Sequence, residues 1–205
     1  MRHIKEVTET PLSALDAIFT RRSVRAYTHR KIDDATVRAL LDAAVQAPTA
    51  VHLEPWAFIV IQDDATLRRY SDRAKASWGA EAARYRDLHE APALRGGFAA
   101  RLADPDFSIF YDAGTLILIC SKDRGPFAAA DCWLAAENLM LAATALGLGT
   151  CCIGSAVTAL NTVEARAELH IPEDVTVVAP IVVGVPAGDA VEVPRKEPDI
   201  LLWKK

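Results

Sequence analysis

Most of the features that mark a specialised class of protein are missing from this chain. No uninterrupted apolar run is long enough to span a membrane. The longest apolar region, residues 127–159, is broken by Asp131, Glu137 and Asn138, so it reads as a buried helix and strand. No apolar core follows the mixed, charged first ten residues, so no signal peptide is read and the expected location is cytoplasmic. Arg21-Arg22 is followed by polar residues, where a twin-arginine signal would need an apolar stretch. Neither charge is in surplus: 23 basic and 27 acidic residues give a net charge of −4, no general attraction for nucleic acid or an anionic membrane. Cysteine is scarce, with four residues at 120, 132, 151 and 152 and no CxxC spacing, which excludes a zinc ribbon or a thioredoxin-like motif. Cys151 and Cys152 are adjacent and cannot form an unstrained disulfide, so reduced thiols packed as small apolar groups are expected. The five histidines, at 3, 29, 52, 89 and 170, lack metal spacing, and no metal site is expected. GxxxxGK[ST], HExxH and GxSxG are absent. Gly147-Leu148-Gly149 follows a helical stretch and meets Cys152 where a dinucleotide fingerprint needs glycine.

What remains is a chain of 205 residues, 51% hydrophobic and 24% charged, enough for a single domain over residues 1–205 with a sizeable core. A short helix is expected over 13–20. A second helix is capped by Asp33 or Asp34 and carries Val37, Leu40, Leu41, Ala44 and Val45 at helical spacing, with Pro48 marking its end. Residues 57–61 form a buried strand, closed by Asp63 and Asp64, which can cap the next helix. The Ala/Arg-rich stretch to about 106 reads as helical in pieces, with breaks near Pro92 and Gly96-Gly97, and as a candidate lid. Residues 114–120 form another buried strand. The helix over 128–146 is apolar on almost every side, so one face should meet the sheet and another a second subunit. Gly147 and Gly149 end it, and strands follow over 150–153 and 175–185. A Pro-containing basic arm occupies about 191–205. This order gives an α+β fold with a mixed central β-sheet flanked by helices.

Three stretches carry candidate chemistry. Arg21-Arg22-Ser23-Val24-Arg25 gathers three guanidinium groups and a hydroxyl into five residues. Residues 47–56, APTAVHLEPW, form a polar-decorated turn between helix and strand, and Trp56 could be core or a ligand contact. Pro194-Arg195-Lys196 places a basic pair in the arm. Each alone fits a plain structural role, such as arginines favoured at a helix C-terminus or a solvated tail.

Together, RRSVRAY, AAVQAPTAVHLEPWAFIVI, AENLMLAATALGLGTCCIG, IPEDVTVVAPIVVGVP and PRKEP occur in an order that resembles the FMN-dependent nitroreductase family. The resemblance implies a homodimer joined through long central helices, with FMN in pockets shared by the two subunits. It implies that Arg21, Arg22 and Ser23 hold the FMN phosphate and ribityl chain, and that Arg25 faces the pyrimidine edge of the ring. Pro48, Thr49, Ala50 and His52 would come from the partner subunit. Cys152, Ile153, Gly154 and Ser155 would present backbone to the ring, and Arg195 and Lys196 would return to the phosphate. NADH or NADPH would be the transient electron donor, with a small-molecule acceptor such as a nitroaromatic or a quinone. The flavin itself would carry the chemistry, without a catalytic side chain. Two alternatives are a specialised dehydrogenation or reductive dehalogenation on the same fold, and a non-catalytic flavin-binding or sensing protein. His52 and Glu54 stand where the family usually has Asn and Gln. Glu54 is expected to pair with an arginine at the subunit contact.

Overall fold

The computed structural model describes residues 12–85, 97–122, 125–189 and 192–205. Helix α1 (Ala14–Thr20) starts with a capping box, in which Ser13 Oγ accepts the Asp16 amide at 3.1 Å while the Asp16 carboxylate takes the Ser13 amide. Helix α2 (Asp34–Ala44) is capped by Asp33, which accepts the Thr36 N–H at 2.7 Å, and buries Val37, Leu40 and Ala44. Strand β1 (Trp56–Ile61) leads to Asp63, whose carboxylate accepts the Thr66 N–H at 2.7 Å and opens α3 (Asp64–Tyr85). The expected pieces are, up to Tyr85, one continuous helix of 22 residues, consistent with the strong helix-forming tendency of its Ala, Arg and Glu residues. Pro92 lies outside the described residues, as does the centre of the candidate lid.

Helix α4 (Gly97–Ala103), strand β2 (Thr115–Ser121), helix α5 (Ala128–Ala145) and strand β3 (Gly149–Cys152) follow. The chain closes through α6 (Val157–Leu160), α7 (Val163–Glu168) and β4 (Thr176–Gly184). The strand order is β1-β2-β4-β3, and every pairing of these strands is antiparallel. Among the described residues the one parallel pairing is an isolated bridge between Ser23 and Thr150, so the fold is α+β as expected but its four-stranded sheet is antiparallel rather than mixed.

Every residue of β2 is buried, which explains its unbroken apolar sequence. Its side chains divide by strand alternation. Ile117 and Ile119 pack with Leu40, Cys132, Ala135 and Leu139, while Leu116 and Leu118 pack with Tyr70, Phe110 and Leu160. Trp56 belongs to the first of these cores. Small residues on one side of α5, among them Ala135, Ala136 and Ala143, are fully buried. The other side leaves Trp133 at 45% and Leu134 at 46% exposure, beside an α1 that exposes Leu15, Ile18 and Phe19. Gly147, at φ 71, takes the chain out of α5, whereas Gly149, expected to help end the helix, is the first residue of β3. The four cysteines are free thiols. Burial pushes Cys120 up to about 12 and Cys132 and Cys152 to about 11, so all three stay protonated at neutral pH. Among the described residues, no helix is long and apolar enough to cross a membrane.

Candidate functional site

The RRSVRAY segment is laid along the sheet edge by backbone bonds. Val24 N–H donates to Thr150 O at 2.9 Å, Thr28 N–H to Val185 O at 2.9 Å, and Ala187 N–H to Ala26 O at 3.0 Å. Two glycines make this approach possible. A Cβ at Gly149 would stand 2.8 Å from the Val24 side chain, and one at Gly184 would stand 2.9 Å from the Tyr27 ring. Tyr27 is buried, donates its hydroxyl to Val24 O at 2.8 Å, and has its phenol pushed far up by that burial.

Beside this segment lies a cavity of about 520 Å³, lined in part by Arg22, Ser23, Arg25 and Arg195. Arg22 is braced from behind: its Nη1 donates to Phe19 O at 2.7 Å and to Arg21 O at 2.9 Å. The Phe19 carbonyl belongs to the last turn of α1, so the guanidinium also covers a backbone acceptor that the helix itself leaves open. Arg25 Nη1 reaches Ser23 O at 3.4 Å, and its charge opposes the burial that pushes the Tyr111 phenol up. Tyr111 sits at φ 55 and packs edge-on to Phe107, with the Arg101 guanidinium 4.4 Å from the Phe107 ring centroid. Beneath them, burial raises the Cys151 thiol, against the opposing pull of Arg25 and of a hydrogen bond with Ser23. The site is thus a concave surface with three guanidinium groups and a hydroxyl, suited to a phosphorylated small molecule.

The remaining sequence-derived residues are placed differently. Arg21 turns away from the cavity towards α5. Its Nε lies 3.3 Å from Glu137 Oε1, out of line for a hydrogen bond, and has no other partner among the described residues. Lys196 does not line the cavity, and residues 192–205 are exposed and without regular structure. Cys152 to Ser155 close β3 and enter a short 3-10 turn (Gly154–Ala156), fixed by Ile153 N–H donating to Pro180 O at 2.8 Å. A Cβ at Gly154 would meet nothing within 4 Å, so no packing within the chain requires glycine there. Pro48, Thr49, Ala50 and His52 also stand off the cavity, in and before a second 3-10 turn (Ala50–His52). Val51, His52 and Glu54 adopt φ values of 44, 59 and 46 in that loop. Among the described residues Glu54 meets no arginine; its Oε1 lies 3.5 Å from His52 Nε2, with both side chains exposed.

Sequence reasoning missed two contributors. The 187–189 turn, with Gly188 and Asp189, forms a wall of the cavity, and its sequence signal is the Pro186-Ala187-Gly188-Asp189 turn composition. Asp131 is buried and accepts the Ala50 N–H at 3.2 and 3.3 Å. Its signal was a carboxylate in the first turn of a largely apolar helix.

The nitroreductase family model matches residues 18–185. This chain belongs to the nitroreductase family. It is 32% identical over 178 residues to a candidate NADH dehydrogenase/NAD(P)H nitroreductase of Archaeoglobus fulgidus, with 85% of this chain and 86% of that protein covered. Over 210 residues it is 26% identical to an NADH dehydrogenase of Thermus thermophilus, with coverages of 97% and 100%. Among solved structures, a nitroreductase with bound FMN from Bacteroides fragilis superposes with a TM-score of 0.74 at 28% identity. That superposition covers 93% of this chain and 97% of the other. This nitroreductase-family chain therefore shares its fold with that protein across nearly its whole length.

Proposed function

We propose that this chain binds FMN and works, as a homodimer, as an NAD(P)H-dependent oxidoreductase reducing small acceptors such as nitroaromatics or quinones. The observation that carries the reading is the arginine-lined cavity beside the RRSVRAY segment. Its volume of about 520 Å³ falls within the roughly 300–1,000 Å³ usual for small-molecule sites. The donor set fits the cofactor: a phosphate dianion needs charge-assisted donors, and Arg22, Ser23 and Arg195 supply them from a braced scaffold. The open space at Gly154 gives a flat ring room to approach the backbone that Cys152, Ile153, Gly154 and Ser155 present.

In this reading Arg25, on the cavity wall, puts a positive charge where electron gain would build negative charge. Arg21 and Lys196 are assigned to the phosphate by the resemblance, and Arg21 would act there through the electrostatic field rather than by contact. When bound, FMN supplies two-electron transfer from NADH or NADPH to the acceptor. Pro48, Thr49, Ala50 and His52 complete the pocket from a second copy. The exposed face carrying Trp133, Leu134, Ile18 and Phe19 supports that dimer, because a soluble chain rarely leaves so many large apolar groups together in water. The whole chain is read as one domain, with the 191–205 arm returning Arg195 to the cavity.

The test is an absorption spectrum of the purified protein before and after anaerobic NADPH. Bands near ~450 nm that bleach on addition are expected for a flavin reductase. Protein that is colourless and fails to take up added FMN overturns the reading. Bound flavin that NADPH and NADH never reduce favours the non-catalytic alternative.

A further inference from the structure

Three non-glycine residues in one short loop, Val51, His52 and Glu54, hold left-handed φ values, and one of them is β-branched. Such conformations are costly and persist only where the surroundings over-determine them. Within the loop His52 N–H reaches Thr49 O at 3.4 Å, Leu53 N–H reaches Ala50 O at 3.2 Å and Glu54 N–H reaches Thr49 Oγ1 at 3.4 Å, while the His52–Glu54 pair is exposed. These bonds close the turn on itself; a tie to the body of the molecule comes from far away in sequence. Asp131, 81 residues on and in the first turn of α5, turns its carboxylate to the Ala50 N–H and takes it with both oxygens. Asp131 is 4% exposed, and no cation lies within ion-pairing distance of it among the described residues. A buried carboxylate is expensive to keep without a matching charge. The positive end of the α5 dipole, where Asp131 stands, offsets part of that cost.

We infer that Asp131 is a positioning residue: its carboxylate anchors the 49–54 turn at Ala50, holding the strained loop in the shape that a second copy's flavin site receives. The inference rests on the proposed role of this loop in cofactor binding. The same helix that buries Ala135 and Leu139 against the sheet also exposes Trp133 and Leu134. The anchor thus ties the loop to the helix that faces the second copy, so loop and docking face keep a fixed relation.

The test uses the full-length protein and two variants, Asp131→Ala and Asp131→Asn, with three readouts. These are FMN affinity, visible circular dichroism of the bound flavin, and hydrogen–deuterium exchange of the peptide covering 49–54. Removing the acceptor in Asp131→Ala is expected to weaken FMN binding by about 10–100-fold, the usual range for losing a bond to a charged group. The flavin dichroism should change, and exchange should rise at 49–54 while β2 and β4 stay protected. Asp131→Asn keeps the shape and a weaker acceptor, so it should recover affinity to within about five-fold of the parent. Parent-like affinity and parent-like exchange in Asp131→Ala overturn the inference. Should that variant fail to fold, Asp131→Leu, close in shape but without an acceptor, decides: faster exchange confined to 49–54 supports the anchor, and an unchanged rate there overturns it. A parent protein that binds no FMN sinks the cofactor reading, while the exchange experiment still tests the anchor on its own.

Discussion

The two halves of the candidate site are built in opposite ways. The RRSVRAY half lies on the sheet edge, stitched by three backbone hydrogen bonds of 2.9, 2.9 and 3.0 Å and admitted by the missing side chains of Gly149 and Gly184. The 49–54 half stands off the sheet in a strained conformation, closed on itself by long bonds and tied to α5 by a buried carboxylate. The first half borrows the rigidity of the most deeply buried part of the molecule. In the proposed reading the second half meets a second copy of the chain. A site divided this way pairs a preformed arginine-lined cradle with an anchored loop that completes it from outside.

The largest effect that would break this comparison falls on the exposed α1–α5 face. Replacing Trp133 and Leu134 together by glutamate places two unpaired charges where a second copy would cover them, at a cost of several kcal/mol. Self-association by sedimentation should weaken by more than about 100-fold, and FMN should be lost with it. Retention of FMN by a strict monomer would show that the 49–54 half is dispensable.

Next comes the cradle. Arg22→Ala should weaken FMN binding by about 10–100-fold, as for any lost charge-assisted hydrogen bond, whereas Lys196→Ala should stay within about two-fold. Equal losses in the two variants would mean that the arm contributes as much as the braced arginine. A similar scale is expected for Gly149→Val, whose Cβ would fall 2.8 Å from Val24. Overpacking of this kind costs about 1–3 kcal/mol, and urea unfolding and FMN titration should register it together. Stability lost without any loss of affinity would uncouple the cradle from the sheet.

The smallest effect is a control far from both halves. Glu168 joins α7 to α3 by accepting from Arg73 at 3.0 and 2.7 Å and from the Tyr70 hydroxyl at 3.1 Å. The Arg73 hydrogen bonds, helped by Tyr70 and Arg69, hold its carboxyl below the ordinary range. A depressed carboxylate adds stability above its unfolded value, about 4.3, and loses it as pH falls through the lower folded value. Glu168→Gln should therefore melt slightly below the parent at neutral pH, with the gap closing in acid and FMN affinity unmoved throughout.

Much of the fold could be read before the structure because local rules and global packing agreed. Asp33 and Asp63 cap helices as their positions suggest, and the unbroken apolar run of β2 reflects burial on both faces. The continuity of α3 was hidden because its alanines and arginines carry little apolar periodicity. His170, just before Ile171-Pro172, closes α7, with its φ of 53 and the Ile171 N–H returning to Arg166 O at 2.9 Å. The site was legible as a set of residue types rather than as geometry. Nothing in the sequence tells Arg22 from Arg21, yet the fold points one into the cavity and the other at Glu137. The left-handed Val51 runs against its own preference, and the restraint on it comes from a residue about 80 positions away, which no local pattern can reveal.

The bridge from Ser23 to Thr150 has a further consequence for how this protein is handled. β3 ends the sheet order, and the hydrogen bond from Val24 to Thr150 caps its outer rim with the same residues that border the cavity. If that ribbon peels away, the rim becomes an open template for pairing with any other extended chain. Ligand retention and resistance to aggregation are therefore expected to share one latch. Preparations stripped of ligand should scatter light on warming before their helices melt, and resupplying the ligand should clear the early rise.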